Sequence, residues 1–278
     1  MAAERMIQRP IPRKSESLPV VGLGTWQTFD VADGAARAPL RDVLREFARL
    51  GGTVVDSSPM YGRSESVVGD LADELGLQKQ LFIATKVWTS GAEAGIRQME
   101  ESFRRLRVQR VDLMQVHNLV DWRSHLRTLR TWKAQGRIRY IGVTHYTESA
   151  YGELELVLKS EELDFVQLNY SISERAAEQR MLPLAADRGL AALANRPLAQ
   201  GALFAKVRGK PLPAWASEIG IESWAQFFLK YTLGHPAVTC AIPATSRVDH
   251  LRDNMRAGLG PLPDAATRER MARFIEGL

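Results

Sequence analysis

Thr53 to Ser58 reads TVVDSS, and Pro59 to Val87 continues PMYGRSESVVGDLADELGLQKQLFIATKV. The stretch opens with an apolar run that ends on a carboxylate, Asp56. A turn follows from Asp56 to Gly62, and then a helical pattern opens at Ser64-x-x-Val67, with Ser64 placed to act as the N-cap. The stretch closes on a second apolar run, Leu81–Val87, which carries one lysine, Lys86. Both runs are near-continuously apolar, as strands of a parallel sheet covered on both faces are. The stretch is therefore a strand–helix–strand unit.

The same unit recurs in both directions. Apolar runs begin near Val20, Thr53, Leu81, Val111, Ile138, Phe165, Leu190 and Thr239. Between them, Leu40, Val43, Leu44, Phe47 and Leu50 follow the i, i+3, i+4, i+7 spacing of a helix. Leu126, Leu129 and Trp132 follow the same spacing and stop at Gly136, a C-cap candidate. Eight strands alternating with helices predict a (β/α)8 TIM barrel, an α/β fold, as a single domain. A doubly wound sheet is the alternative, but Gly22-x-Gly24 lacks the third glycine of the dinucleotide fingerprint. The long interval from Leu190 to Thr239 predicts an inserted segment after strand seven, around residues 200–220, where Pro211 and Pro213 fall. Asp264 to Leu278 predicts a C-terminal helix. Residues 1–17 are expected as an N-terminal extension and 18–278 as the barrel domain.

The 278 residues carry 37 Lys and Arg against 32 Asp and Glu, a net charge of +5. That balance permits an anionic ligand without requiring nucleic acid. Arg123, Arg127 and Arg130 fall on one helical face and read as a solvated surface, with no aromatic interleaving to suggest nucleic acid. The single cysteine, Cys240, excludes an intrachain disulfide and a multi-cysteine zinc site. Its VTCAIP context points to a buried structural thiol. No run of apolar residues is long enough to span a bilayer, and no signal-like apolar region follows the start. A cytoplasmic protein with no membrane partner is expected, and a monomer is favoured.

Barrel enzymes place their chemistry at the C-terminal ends of the strands. Here those ends carry Asp56, Lys86, His117, Thr144 with His145, Gln167 with Asn169, Asn195 with Arg196, and Thr245 with Ser246. Tyr61 follows Asp56 across the turn. A tyrosine near a lysine suits a general acid, because a neighbouring ammonium lowers the phenol from its ordinary value near 10. Asp56 would keep Lys86 charged and in place. His117 could orient a carbonyl or act as a second acid. Each residue alone has a plain structural reading, as an ion pair, a packing tyrosine or a core histidine; the combination points to a site.

These residues and their surroundings resemble the aldo-keto reductases. GLGTW at Gly22–Trp26, D-x-S-x-x-Y-G-x-S-E at Asp56–Glu65 with Gly69 behind it, ATKVW around Lys86, DLMQVH ending at His117, and IPATSRVDHLRDN at Ile242–Asn254 carry the resemblance, which runs from about Leu18 to Asn254. It implies a barrel that transfers hydride between NADPH (NADP+), with NADH possible, and a small-molecule carbonyl substrate. It implies a catalytic tetrad of Asp56, Tyr61, Lys86 and His117, with Tyr61 as general acid.

The resemblance also assigns the cofactor. Gly24, Thr25 and Trp26 would meet it at the end of strand one. Thr144 with His145, and Gln167, would hold the carboxamide, although His145 stands where the family has an amide. Asn195-Arg196-Pro197 replaces a segment that usually carries a stacking tyrosine. Either Arg196 or a nearby tryptophan would then cover the nicotinamide, and a cation there would disfavour the oxidised form. Leu198, Gln200, Gly201 and Leu203 would follow the diphosphate. Ile242, Pro243, Ala244, Thr245, Ser246, Arg247, His250, Asp253 and Asn254 would meet the adenine end. There Ala244 and His250 replace a Lys and an Arg that grip a 2′-phosphate, and Arg247 is the substitute. Trp26, Trp88 and Trp122 would line an apolar substrate pocket. Two further readings stand beside this one. The β subunits of voltage-gated potassium channels resemble the family and act as binding partners, and a Schiff base on Lys86 would need that amine neutral.

Overall fold

The computed structural model describes residues 5–278. Two short strands, β1 (Gln8–Pro10) and β2 (Ser17–Pro19), pair antiparallel as a hairpin. The barrel strands follow in chain order: β3 (Leu23–Gly24), β4 (Val54–Asp56), β5 (Phe82–Val87), β6 (Val111–His117), β7 (Ile138–His145), β8 (Phe165–Asn169), β9 (Ala191–Asn195) and β10 (Val238–Ala241). Each pairs parallel with the next. The ring closes where β10 meets the segment leading into β3: Gly22 N donates to Ala241 O at 2.8 Å and Ala241 N to Val20 O at 2.9 Å. Gly24 is required at that seam, because a Cβ there would lie 2.8 Å from the Ile242 carbonyl oxygen.

Helices α1 (Ala38–Arg49), α2 (Ser64–Glu74), α3 (Ala92–Leu106), α4 (Trp122–Ala134) and α5 (Tyr151–Ser160) connect β3 through β8. After β8 come α6 (Ala176–Gln179) and α7 (Met181–Asp187). The insertion predicted around residues 200–220 contains 3-10 turns at Ala199–Gly201 and Ala214–Ile219 and α8 (Ala202–Lys206), and α9 (Trp224–Leu233) follows it and leads to β10. Then come α10 (Val248–Arg256) and the C-terminal helix α11 (Ala265–Glu276), whose Asp264 accepts from Thr267 N at its start. Trp215 of the insertion meets Phe274 edge-on at 6.2 Å and Trp224 of α9 stacks on the same ring at 6.4 Å, so this connection is fastened to α11 by aromatic contacts. No helix among the described residues is long and apolar enough to cross a membrane.

Of the local signals at helix ends, Gly136 holds and Ser64 does not. Gly136, at φ 72°, follows the end of α4 as its left-handed terminator, with Arg137 N bonded to Trp132 O. Ser64 does not cap α2. Arg63 holds the cap position, and the Ser64 hydroxyl donates instead to Thr25 O at 3.4 Å. The turn after β4 is one residue tighter than the capping reading requires, so Ser64 is already inside the helix.

Two apolar layers build the core. Outward-facing strand residues pack under the helices. Inward-facing ones, among them Val54, Phe82, Leu113, Tyr140, Phe165 and Cys240, fill the barrel. Cys240 is free, fully buried, and its thiol is pushed up by burial, in keeping with a structural role. The hairpin completes this interior from below, with Ile11 and Leu18 in the same cluster. The boundary expected before Leu18 therefore passes through one packed unit. Arg9 secures it by donating to Leu233 O at 2.6 Å and His235 O at 2.9 Å, capping the end of α9. Tyr140 donates to Glu16 at 2.6 Å.

Ile11 is fully buried. Ile11→Ala should destabilise the protein by about 2–5 kcal/mol, read as a lower urea midpoint at unchanged m-value. An unchanged midpoint would show that the hairpin is dispensable to the barrel.

Candidate active site

Asp56 pairs with Ala84 across β4 and β5, and Lys86 lies two residues beyond Ala84 on the same face. This diagonal brings the two side chains together inside the barrel mouth. Lys86 Nζ donates to Asp56 Oδ2 and to Ser57 O, each at 2.7 Å, and both side chains are almost fully buried. Burial alone would lower the Lys86 ammonium, but Asp56 and the Tyr61 phenol outweigh it and hold it above its ordinary value. A lysine kept charged in this way is a poor amine nucleophile, which disfavours the Schiff-base reading.

Tyr61, delivered by the turn after β4, places its ring with Lys86 Nζ 5.1 Å from the centroid. Burial raises its phenol, Lys86 and Arg196 pull it down, and the net shift is upward. The expected lowering by Lys86 is present but is outweighed by burial and by the Asp56 carboxylate. The phenol is thus held protonated. His117 stands at the end of β6 with its ring edge-on to Tyr61, centroids 6.0 Å apart. Its Nδ1 lies 3.2 Å from Ser58 Oγ. Burial, then the Lys86 charge and His145, push it down to about 2, so the ring is neutral.

These four residues lie in one cavity of about 880 Å³ that runs over the barrel mouth to α10. Gly24, Thr25, Trp26, Trp88, Thr144, Gln167, Asn195, Arg196, Pro197, Leu198, Gln200 and Gly201 line it, followed by Ile242, Pro243, Ala244, Thr245, His250, Asp253 and Asn254. Gln115 Nε2 reaches both Asp56 Oδ1 and Gln167 Oε1 at 3.4 Å. Two lining amides, Asn118 and Asn195, have a buried Oδ1 with no partner among the described residues. Arg196 sits between aromatic faces, 5.4 Å from the Trp26 ring centre and 4.8 Å from that of Tyr146. With the Gln200 amide turned so that its oxygen faces inward, it accepts from Arg196 Nε at 3.0 Å.

Five expected residues lie elsewhere. Trp122, expected at the substrate pocket, does not line it. It is buried in the first turn of α4, its indole donates to Glu153 at 3.0 Å, and Arg123 covers its ring at 4.1 Å. Asn118, Leu119 and Asp121 all have positive φ, and this sharp reversal after β6 turns Trp122 away from the mouth and towards α5. His145 stacks on Tyr146 outside the cavity, with Nδ1 accepting from Thr147 N at 3.2 Å. Leu203 is buried in the apolar core. Ser246 and Arg247 do not line the cavity, and Arg247 is exposed and bound to Asp249 at 2.6 and 3.0 Å.

The wall also contains residues that the strand-end reading does not include: Gln27, Thr28, Met60, Asn118 and Tyr146 near the mouth, Phe204 from the insertion, and Ser223, Trp224 and Ala225 from the start of α9. Tyr146 directly follows a strand-end residue, so its position alone could have found it. The four residues between β9 and β10 sit at no strand end and carry no such signal.

The suppressed His117 pKa predicts a pH dependence of stability. Below about pH 6.5 the unfolded chain binds a proton that folded His117 refuses until about 2, so this stability is intact above 6.5 and is lost as the pH falls. Between pH 7.5 and 5.5, wild type should lose about 1–1.5 kcal/mol more unfolding free energy than His117→Gln. Equal losses in urea titrations would place a protonatable His117 in the folded state.

Known proteins resemble this chain in sequence and in fold. A sequence profile of the aldo/keto reductase family matches residues 20–269. Methylglyoxal reductase YeaE of Escherichia coli is 30% identical over 247 residues, covering 86% of this chain and 84% of that protein. The NADH-specific methylglyoxal reductase of the same organism is 29% identical, covering 74% and 72%. An aldo/keto reductase from Klebsiella pneumoniae, crystallised with NADP and acetate, superposes with a TM-score of 0.77 at 25% identity, over 98% of this chain and 96% of that one. The parallel eight-stranded ring, the sequence profile and these relatives agree: the chain belongs to the aldo/keto reductase family and is an oxidoreductase.

Proposed function

We propose that the protein reduces aldehyde and ketone carbonyls to alcohols with NADPH, NADH being the alternative, and that Tyr61 is the proton donor. The observation that carries this reading is the placement of Tyr61 beside the buried Lys86–Asp56 pair and edge-on to His117, with all four residues in one cavity. The cavity suits a dinucleotide. The unpartnered amide oxygens of Asn118 and Asn195 are the kind of group that a bound amide or hydroxyl would satisfy. Klebsiella pneumoniae relatives crystallised with NADP and with NADPH support the cofactor, and the NADH-specific Escherichia coli relative keeps NADH open.

Thr144, Gln167 and Asn195 would hold the nicotinamide end, with Arg196 over it. Leu198, Gln200 and Gly201 would follow the diphosphate, and Thr245, His250, Asp253 and Asn254 the adenine end. When bound, the cofactor supplies the hydride that reduces the carbonyl carbon. Tyr61 Oη gives its proton to the carbonyl oxygen. The Lys86 ammonium then faces the phenolate, and Asp56 keeps that ammonium in place. His117 orients the oxygen by a hydrogen bond. The substrate enters past Trp26 and Trp88, where exposed Met60, Tyr146 and Phe204 make an apolar rim. The reading includes a monomeric, cytoplasmic protein with no nucleic-acid partner.

Tyr61→Phe should lower kcat by about 10²–10⁴ while leaving NADPH affinity nearly intact. The assay is NADPH oxidation over a panel of aldehydes and ketones, with methylglyoxal included because two relatives are named for it. Normal turnover by the variant would remove Tyr61 from the mechanism.

Arg247 would grip a 2′-phosphate only by leaving Asp249. Asp249→Asn should therefore tighten NADPH a few-fold while leaving NADH unchanged. Equal effects on both dissociation constants would take Arg247 out of cofactor selection.

A further inference from the structure

We propose that Ser58 sets the tautomer of His117, so that the ring presents a hydrogen-bond donor, Nε2–H, to a carbonyl oxygen in the cavity. The inference rests on the role of His117 proposed above. Ser58 does not touch the substrate; it is a positioning residue that acts through the imidazole.

The deciding constraint is the number of donors around one oxygen. Ser58 lies in the turn after β4 and is fully buried. Its Oγ has two partners, His117 Nδ1 at 3.2 Å and Met60 N at 3.3 Å. The Met60 amide is a donor in every case, so Oγ accepts from it. If Nδ1 carried a proton, Oγ would accept a second time. The hydroxyl proton would then have no acceptor among the described residues, in a place closed to water. A buried donor without a partner is disfavoured. If Nδ1 is bare, Oγ accepts from Met60 and donates to Nδ1, and all three groups are satisfied. The proton of the neutral ring is then on Nε2.

The rest of the surroundings agree. Nε2 has no hydrogen-bond partner among the described residues, and His117 lines the cavity. Its ring neighbours are the Tyr61 ring at 6.0 Å and the Trp88 ring at 6.4 Å, which offer packing and no competing hydrogen bond. A doubly protonated ring is opposed by burial and by the Lys86 charge. An Nδ1–H ring would turn a lone pair, rather than a proton, towards a carbonyl oxygen and repel it. One serine hydroxyl thus decides whether the imidazole attracts or repels the reacting group.

The test is two-bond ¹H–¹⁵N correlation spectroscopy on protein labelled with ¹⁵N-histidine at pH 7.5. The His117 signals are assigned by their loss in His117→Gln. Wild type should show an unprotonated Nδ1 and a protonated Nε2. Ser58→Ala should shift towards a mixed or Nδ1–H pattern and lower kcat by about 3- to 10-fold, with the NADPH dissociation constant unchanged. Ser58→Thr, which keeps the hydroxyl, should restore the wild-type pattern and most of the kcat. An Nδ1–H ring in wild type overturns the proposal, as does a Ser58→Ala enzyme whose tautomer or kcat is unchanged. The wild-type spectrum alone decides if Ser58→Ala does not fold. Failure of the wider mechanism reads differently: full turnover by Tyr61→Phe and His117→Gln would remove the proposed chemistry and leave the measured tautomer standing.

Discussion

The buried ion pair of Lys86 and Asp56 is the constraint around which the barrel mouth is organised. Taking an ammonium and a carboxylate out of water is costly, and the mutual attraction offsets that cost only with good geometry and further hydrogen bonds. Both conditions are met by two 2.7 Å contacts of Lys86 Nζ, one to Asp56 and one to Ser57 O. The same charge acts on its neighbours. It opposes the rise of the Tyr61 phenol, and it helps keep His117 neutral. A single buried cation therefore offsets part of the rise of the phenol while denying a charge to the imidazole.

The loops around that pair are held in unfavourable backbone conformations. Nine non-glycine residues among those described have positive φ, and Gln27, Asn118, Leu119, Asp121, Arg196, Ala199 and Gln200 among them lie on loops that follow barrel strands. Each left-handed residue costs roughly 1 kcal/mol. The concentration at one end is consistent with strain tolerated where side chains must point inward. Arg196 shows the outcome: its left-handed backbone sets the guanidinium between Trp26 and Tyr146.

This pattern also explains what the sequence discloses. The barrel is legible because parallel strands are covered on both faces and so form unbroken apolar runs. Asp56, Lys86 and His117 are legible because each interrupts or ends such a run. Loop direction is not. Trp122 follows a strand end as Trp88 does, yet three left-handed residues send it under α5, while Trp88 stays at the mouth. Phe204 and Trp224 reach the cavity from the long connection between β9 and β10, where Phe204 packs on Phe228 and Trp224 on Phe274 of α11. Arg247 reads as a free cation in the sequence, and only the fold shows Asp249 bound to it. The N-terminal hairpin escapes sequence reading because three-residue strands with mixed exposure carry no clear period.

The hairpin and the site are connected through the barrel interior. Val54, Leu113, Phe165 and Cys240, from alternate strands, form an apolar layer. Two residues further along the same strands stand Asp56, Gln115, Gln167 and Ile242. Since alternate residues share a face, the second layer lies directly on the first. Three of its four members are polar, and Gln115 links Asp56 to Gln167. Such a layer holds its geometry only if water does not compete for its hydrogen bonds from below. Ile11 and Leu18 close that route by extending the apolar layers to the barrel floor. The plug at one end of the barrel thus protects the dry environment on which the buried ion pair at the other end depends.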